Sequence, residues 1–257
     1  MGLKDTVNTF LRPRRDDSPA GQTWIPSYQG TDPMSALAAV TRPEKVRTIF
    51  DIGAHTGDFA RQFLDTFPEA TVYCFEPSPR SFRALADRFA GNPRVKVYDT
   101  AVLERSGTTG FFCNRVSPTD SVLAPAAGSD RWVDGGDGSS LRCVEKVQVR
   151  STSLDDFCRE NGIPSIDVLK VDTQGAELRV IAGAKGLLGE RRIRAILAEL
   201  LFVPVYEGQP YFSDICACLG SSGYHLVNLF NLRFDEEDQL QIKWADGLFI
   251  FREWRHG

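Results

Sequence analysis

Short apolar runs alternate along most of the chain with segments of helical periodicity. The runs have the length and composition of buried strands, and they occupy residues 48–52, 71–75, 95–98, 166–172, 193–200, 224–229 and 247–251. After the first run, Phe59, Phe63 and Phe67 recur at every fourth position and predict an amphipathic helix that ends before Pro68. This alternation predicts an α/β fold whose mostly parallel, seven-stranded sheet is doubly wound, with helices on both faces.

Capping residues mark the other helices. Ser78 followed by Pro79 is a typical helix start, and Ser153 with Asp156 behind it resembles a capping box. Gly162 ends the second of these helices. Further helices are predicted at 176–188 and 213–219.

Two segments depart from this alternation. Residues 1–44 are proline-containing and lack periodicity, which predicts an N-terminal arm or partial lid ahead of a single domain at 45–257. Residues 108–113 predict an additional strand, and an insertion loop rich in Gly, Ser, Asp and Pro follows at about 114–142. A loop of this length is either a plain insertion or a lid over a substrate, and the sequence leaves both open.

Composition and charge limit the classes of function. The 257 residues are 42% hydrophobic and 25% charged, which is typical of a globular domain with a packed core. A formal net charge of -4 leaves no global positive field for a nucleic-acid backbone or an anionic membrane. We therefore expect neither nucleic acid nor a membrane among the partners.

Targeting and cysteine patterns favour the cytoplasm. No apolar run approaches the roughly 20 residues of a membrane-spanning helix. The first residues also lack the apolar core of a secretory signal. The six cysteines form neither a CxxC pair nor a zinc-type spacing with histidine, so we expect mostly buried, reduced thiols and no structural metal.

The segment Asp51-Ile52-Gly53-Ala54-His55-Thr56-Gly57 follows the first strand and precedes a helix. Glycines at such a turn let the backbone bend sharply and approach a nucleotide-type ligand. A dinucleotide fingerprint would need glycines where His55 and Asp58 stand, so an NAD-dependent oxidoreductase is disfavoured. A tight turn without function stays an alternative for this segment taken alone.

Acidic residues end several predicted strands, namely Asp51, Glu76, Asp99, Asp172 and Glu199. The carboxyl ends of parallel strands form one edge of a sheet, so we expect these side chains to converge there. Glu76 closes the second strand, where a carboxylate is placed to accept the hydroxyls of a ribose. A crevice lined by acids favours a positively charged ligand.

Three motifs stand out in order along the chain, namely the stretch at 50–57, Phe75-Glu76-Pro77-Ser78-Pro79, and the stretch at 169–178 that reads LKVDTQGAEL. Together they resemble the FkbM family of S-adenosylmethionine-dependent methyltransferases. The resemblance extends over residues 46–252. Two positions depart from the pattern: Gln174 stands where many relatives have Glu, and His55 stands where the broader methyltransferase pattern prefers Gly.

The resemblance implies a class I methyltransferase-like (Rossmann-like) fold with an antiparallel last strand, and S-adenosylmethionine as the cofactor. It implies that the turn at Gly53 lies along the methionine end of the cofactor, that Glu76 holds the ribose, and that residues 99–102 lie along the adenine. The candidate cofactor-binding residues are Asp51, Gly53, Ala54, His55, Gly57, Glu76, Pro77, Ser78, Asp99, Thr100, Ala101, Ser121 and Asp172.

The family methylates hydroxyl oxygens of sugars, polysaccharides and polyketide-type natural products, so the resemblance implies O-methylation of a small-molecule or glycan hydroxyl. An alcohol is a poor nucleophile that needs a base within reach or a metal that lowers its pKa. Asp172 and Glu199 are the best-placed candidates, and His55 and His225 are rivals.

Other functions stay open on the sequence alone. In a Mg²⁺-assisted variant of the same enzyme, Asp172 and Glu199 would chelate the metal. A non-catalytic nucleotide-binding partner protein would keep the fold but lose the acids at 51, 76 and 172. The sequence identifies neither the acceptor nor the oligomeric state, and a homodimer is compatible with it.

Overall fold

The computed structural model of the protein describes residues 32–133, 139–237 and 239–252. Its helices are α1 (Pro33–Thr41), α2 (Asp58–Thr66), α3 (Pro79–Arg88), α4 (Leu154–Glu160), α5 (Glu177–Ala182), α6 (Lys185–Gly189) and α7 (Phe212–Ser221). Its strands are β1 (Thr48–Ile52), β2 (Thr71–Phe75), β3 (Val95–Tyr98), β4 (Thr100–Val102), β5 (Gly107–Asn114), β6 (Cys143–Thr152), β7 (Ile166–Val171), β8 (Ile193–Leu201), β9 (Tyr224–Phe234) and β10 (Ile242–Phe251). Residues 1–31 of the predicted arm and 134–138 of the predicted insertion loop lie outside the described residues.

The main sheet has seven strands in the order β3-β2-β1-β7-β8-β10-β9. Strands β3, β2, β1, β7 and β8 pair in parallel, and β10 runs antiparallel to both of its neighbours. The prediction of a mostly parallel seven-stranded sheet with an antiparallel last strand is therefore confirmed. The strand order reverses between β1 and β7, which opens a crevice at the carboxyl ends of these two strands.

Two apolar layers cover the faces of this sheet. On one face Phe50, Phe75 and Phe157 pack together, with the Phe75 and Phe157 rings 4.8 Å apart in an edge-on arrangement. On the other face Phe63 and Phe67 of the predicted stripe are buried. Helix α1 joins this second layer through buried apolar side chains, so the end of the predicted arm packs on the sheet.

A second sheet, with strand order β4-β6-β5, lies beside the first. Its strand β5 was predicted, but no strand was predicted at β6, which begins directly after the predicted insertion loop. Most side chains of β6 are exposed or half-buried, and only Val149 is buried. With so small a buried face, the apolar alternation of this strand is limited to Val147 and Val149 and does not distinguish it from a polar loop.

The single helix predicted at 176–188 is instead two short helices, α5 and α6, separated at Gly183 and Ala184. A Cβ at Gly183 would lie 2.1 Å from the carbonyl oxygen of Leu103, so the chain is packed against a neighbouring backbone at the break. Tertiary packing therefore overrides the helical periodicity at this point.

All six cysteines lie in the described part of the chain and are free thiols. Three of them, Cys74, Cys113 and Cys158, are buried, whereas Cys143 is exposed. Within residues 32–133, 139–237 and 239–252, no helix combines the length and apolar character that crossing a bilayer requires.

Candidate active site

A cavity of about 500 Å³ opens at the carboxyl ends of the parallel strands, where the strand order reverses. Its volume is in the range of pockets that hold small ligands. Of the predicted site residues, those that line it are Gly53, Ala54, His55, Glu76, Pro77, Thr100, Ala101, Asp172 and Glu199. The structure therefore brings acids from the ends of β2, β7 and β8 to one cavity.

The turn after β1 forms the floor of this cavity. Gly53 has a φ of 75°, and a Cβ there would lie 1.8 Å from the carbonyl oxygen of Asp172, so glycine alone allows the turn to lie against the end of β7. The amides of Gly53 and Ala54 both donate to the carbonyl of Phe75. His55 also has a positive φ, 50°, which is uncommon for a residue other than glycine. The turn is thus fixed by contacts with both neighbouring strands.

Glu76 links the turn after β1 to the turn after β2. Its Oε2 accepts a hydrogen bond from the backbone amide of His55 at 2.7 Å, and its Oε1 accepts one from that of Ser78 at 2.8 Å. Burial raises the pKa of this carboxyl to about 7, although the two amides oppose the change. Each oxygen keeps a further lone pair, so a carboxylate fixed in this way can still accept hydroxyl groups of a ligand.

Lys170 is a buried cation below the cavity floor. Its Nζ lies 3.2 Å from Asp51 Oδ1 and 3.4 Å from Asp172 Oδ2, and it donates to the carbonyl oxygen of Gly53 at 3.1 Å. Burial alone would lower the pKa of Lys170, but the two carboxylates together raise it above its usual value. The Asp172 side chain is 30% exposed, whereas that of Asp51 is fully buried, so only Asp172 presents its carboxylate to a ligand.

Gln174 joins the two candidate catalytic acids. Its Nε2 donates to Asp172 Oδ1 and to Glu199 Oε2, both at 2.9 Å. Its Oε1 accepts a hydrogen bond from the hydroxyl of the buried Tyr206 at 2.8 Å. Burial, followed by the nearby carboxylates of Asp172 and two other acids, raises the pKa of Glu199 well above its usual value. In the sequence, Gln174 stands out only as a departure from the family pattern, and no local signal predicts its hydrogen bonds to Asp172 and Glu199.

The residues that follow β5 cover one side of the cavity. Asp120 is buried there and accepts hydrogen bonds from Ser78 Oγ at 2.8 Å and from the amide of Asn114 at 2.6 Å. The Oγ of Ser117 lies 2.8 Å from Nε2 of His55, whose pKa is lowered, chiefly by burial. No sequence signal marked Asp120, because it stands in a polar segment without periodicity.

The other predicted cofactor residues do not line the cavity. Asp51 and Gly57 are buried beside it, and Ser78 and Ser121 hold neighbouring loops together by side-chain hydrogen bonds. Asp99 is half exposed and forms an ion pair with Arg150 of β6. Direct contact of these residues with a cofactor stays a prediction.

The described residues do not supply a ligand set for the Mg²⁺-assisted alternative. Among the described residues, no group of three or more His, Cys, Asp or Glu side chains is arranged to hold a metal ion. The space between Asp172 and Glu199 is bridged by the amide nitrogen of Gln174, which is a hydrogen-bond donor and not a ligand. The donor set therefore does not fit Mg²⁺.

The electrostatics favour a positively charged ligand. Glu76, Asp120, Asp172 and Glu199 line the cavity, and Lys170, the one lysine among its described lining residues, is already paired with two carboxylates. Within this described lining, a phosphate would face acids without a free lysine or arginine to receive it. The site is suited to a cationic group that is held through hydroxyl and amine donors.

Comparison with known proteins identifies the family. Residues 51–226 match the family model described as "Methyltransferase FkbM domain". The 2-O-methyltransferase NoeI of Sinorhizobium fredii is 33% identical over 175 residues, which cover 67% of this chain and 70% of NoeI. The 31-O-demethyl-FK506 methyltransferase FkbM of Streptomyces tacrolimicus is 25% identical over 195 residues, which cover 70% of this chain and 73% of that protein.

A solved structure shares the fold. The methyltransferase FkbM of Methylobacillus flagellatus superimposes with a TM-score of 0.51 at 15% identity, over 80% of this chain and 44% of that chain. The present chain thus spans less than half of that protein. The family match covers most of the sheet and the whole of the cavity floor, and we conclude that the chain belongs to the FkbM family of methyltransferases.

Proposed function

We propose that the protein is an S-adenosylmethionine-dependent O-methyltransferase that methylates a hydroxyl group of a sugar, a polysaccharide or a glycosylated natural product. The observation that carries the proposal is the Asp172 carboxylate, fixed by Lys170 and Gln174 on the wall of the acid-lined cavity. The names of both relatives give a numbered oxygen position, which supports oxygen as the acceptor atom.

The residues present fit S-adenosylmethionine. Glu76 offers carboxylate lone pairs to the ribose hydroxyls, and Thr100 and Ala101 line the cavity beside it. The acids of the cavity complement the positive sulfonium and amino groups. When bound, the cofactor supplies an electrophilic methyl carbon, whose bond to sulfur breaks with the electron pair returning to sulfur.

The chain's own residues then orient the acceptor and receive its proton. An acceptor hydroxyl near Asp172 would donate its hydrogen to this carboxylate, which aligns an oxygen lone pair with the methyl carbon. As the new carbon–oxygen bond forms, Asp172 takes up the hydroxyl proton as a general base. Lys170, whose Nζ lies 3.4 Å from Asp172 Oδ2, places a positive charge beside the same carboxyl group.

The remaining alternatives have less support. An NAD-dependent oxidoreductase would need a glycine-rich turn that binds phosphate. The turn at 53–57 instead contains His55, whose backbone amide already donates to the carboxylate of Glu76. A non-catalytic partner protein would have no need of the intact acids at 51, 76 and 172. The free thiols are consistent with a reducing compartment, and we keep the cytoplasm as part of the proposal.

The proposal is tested by incubating the protein with methyl-labelled S-adenosylmethionine and a pool of defined glycans and glycosides. Mass spectrometry should detect an acceptor that gains one methyl group. Asp172→Asn should lower kcat by about 100-fold or more while the cofactor Kd changes far less, because the general base is removed and the other acids of the cavity stay in place. Asp87→Asn, on the exposed surface of α3, is the matched control.

Each outcome has a defined meaning. Cofactor binding without transfer to any acceptor in the pool would contradict the carbohydrate assignment and favour the partner-protein alternative. Full turnover in Asp172→Asn would remove Asp172 as the base. Binding of NADH in place of S-adenosylmethionine, measured by calorimetry, would overturn the proposed cofactor.

A further inference from the structure

Gln174 stands in a conformation that its neighbours enforce. Its φ is 55°, in the left-handed region that residues other than glycine seldom occupy. Its carbonyl oxygen accepts a hydrogen bond from Ser121 Oγ at 2.7 Å, so the loop over the cavity fixes the backbone at this point. An uncommon backbone conformation held in this way at the wall of a cavity points to a role for the side chain.

The direction of the Gln174 amide follows from its partners. The hydroxyl of Tyr206 is a donor that faces Oε1, and two carboxyl groups face Nε2. The reversed amide would set an oxygen against the carboxylate of Asp172, which is repulsive. Tyr206 itself is held in place, because its amide and that of Val205 both donate to Oε1 of Gln209.

We propose that Gln174 is a positioning residue, whose carboxamide, braced by Tyr206, holds Asp172 and Glu199 side by side so that a fixed carboxylate faces the acceptor hydroxyl. This inference rests on the proposed function, since it concerns the base of that reaction. Asp172 Oδ1 then accepts a hydrogen bond from Gln174, and Asp172 Oδ2 pairs with Lys170. These two contacts fix the plane of the carboxylate, and its remaining lone pairs are free to accept from a ligand in the cavity.

The carboxamide donates to both acids without adding a charge to the site. An ionised glutamate of the same shape would offer an acceptor where two donors are needed and would place a third acid between Asp172 and Glu199. The charged and titratable groups around this cluster already include Lys170, Asp51, Asp246, Glu177, Tyr206 and His55. A further acid would have to share a proton with its neighbours.

The first experiment needs no methyl transfer. The carboxyl carbons of Asp and Glu are labelled with carbon-13 in the ligand-free protein, the Glu199 signal is assigned through Glu199→Gln, and its titration is followed by NMR. Gln174→Glu should raise the Glu199 midpoint further, because a third acid replaces the amide that donates to its carboxylate. Gln62→Glu, an exposed substitution of the same kind on α2, should leave it unchanged.

Gln174→Ala guards against a variant that fails to fold. It removes the same donor without adding an acid, so the Glu199 midpoint should move in the same direction but by less. Circular dichroism shows which of the two variants folds, and an unmoved Glu199 midpoint in a folded variant would overturn the proposal.

Kinetics with the acceptor found for the wild-type protein provide the second readout. Gln174→Ala should lower kcat about tenfold, with KM for the acceptor changed less than about threefold, because the acceptor still binds but the carboxylate that faces it is no longer fixed. A KM that rises as much as kcat falls would indicate a purely structural effect and contradict the proposal.

The two proposals fail separately. If the Glu199 midpoint moves as expected while the wild-type protein methylates no acceptor, the hydrogen-bonded arrangement is correct and the proposed function is wrong. If the wild-type protein is active and the midpoint does not move, the role of Gln174 alone is refuted.

Discussion

Glu76 combines a structural and a ligand-binding role in one carboxyl group. Both oxygens already accept backbone amides, and the same oxygens face the cavity where we place the ribose. Glu76→Gln should weaken S-adenosylmethionine binding about tenfold or more, because an amide replaces one of the two acceptor oxygens. Calorimetry measures the change, with the exposed Glu69→Gln as the matched control. Equal affinities in the variant and the wild-type protein would remove Glu76 from the site.

The protonation of Glu76 should also make cofactor affinity depend on pH. Burial raises the pKa of this carboxyl to about 7, so below that pH it carries a proton and loses part of its acceptor capacity. Affinity should therefore fall as the pH is lowered from 8 to 6, and the fall should disappear in Glu76→Gln. A pH-independent Kd in the wild-type protein would contradict this assignment.

Lys170 neutralises charge that the fold would otherwise bury without a partner. It lies within 3.4 Å of carboxylate oxygens of both Asp51 and Asp172 and is itself buried. Lys170→Met should lower the free energy of unfolding by about 3–5 kcal/mol, because it leaves Asp51 buried and unpaired. Denaturant unfolding measures the loss, and the exposed Lys185→Met is the control.

A second substitution separates charge from packing at this site. Adding Asp51→Asn to Lys170→Met should recover part of the stability, since it removes the buried carboxylate that has lost its partner. If the double variant is as unstable as the sum of its single changes, packing is the dominant cause.

Elements with a buried face were predictable, and elements without one were not. The strands of the main sheet show continuous apolar runs because both of their faces are covered, as in β1 and β7, and the acids at their ends follow from the same pattern. Strand β6 is mostly exposed and stands in a polar context, so nothing in its composition separates it from a loop. The contacts of Asp120 and Gln174 join residues far apart in sequence, and no local pattern encodes them.

The break between α5 and α6 allows a test of packing against helix propensity. Propensity alone predicts that Gly183→Ala stabilises a helix at this position. A Cβ there would meet the backbone carbonyl of Leu103 at 2.1 Å, and backbone cannot move aside cheaply. We expect the contact to dominate and the variant to lose about 1–3 kcal/mol of stability in denaturant unfolding.

Gly189 is the matched control for this prediction. It is the last residue of α6, and a Cβ there would meet no atom within 4 Å. Gly189→Ala should therefore be neutral or stabilising by up to about 1 kcal/mol. Stabilisation by both substitutions would show that the α5–α6 break is not held by the contact with Leu103.

The acids that converge on one edge of the sheet give the whole molecule a characteristic response to pH. Burial is the main cause that raises the pKa of Glu76 and Glu177 to about 7 and that of Asp246 to about 6. Between their ordinary values and these raised values, the folded protein binds more protons than the unfolded chain. Stability contributed by these groups is thus present at acidic pH and is lost as the pH rises toward 7.

Other groups act in the opposite direction and limit the effect. A hydrogen bond from Arg179 lowers the pKa of Glu104 to about 2, and one from Ser106 does the same for Asp156. The stability that these two carboxylates contribute is therefore lost only in stronger acid. The lowered pKa of His55 favours the folded state as the pH rises, but it is a single group. We therefore expect the highest melting temperature near pH 5, and a decline from there to pH 8.

Glu177→Gln isolates one of these titrations. Its Oε1 accepts all three hydrogen bonds from Thr173 and Gly175, and glutamine keeps an oxygen at that position while removing the proton equilibrium. The variant should be more stable than the wild-type protein at pH 8, and its stability should fall less steeply, by up to about 1.4 kcal/mol per pH unit across the titration. Scanning calorimetry from pH 5 to 8 measures both curves, with the exposed Glu236→Gln as control. A melting temperature that rises over this interval would show that the buried acids of the fold remain ionised throughout, and it would contradict this prediction.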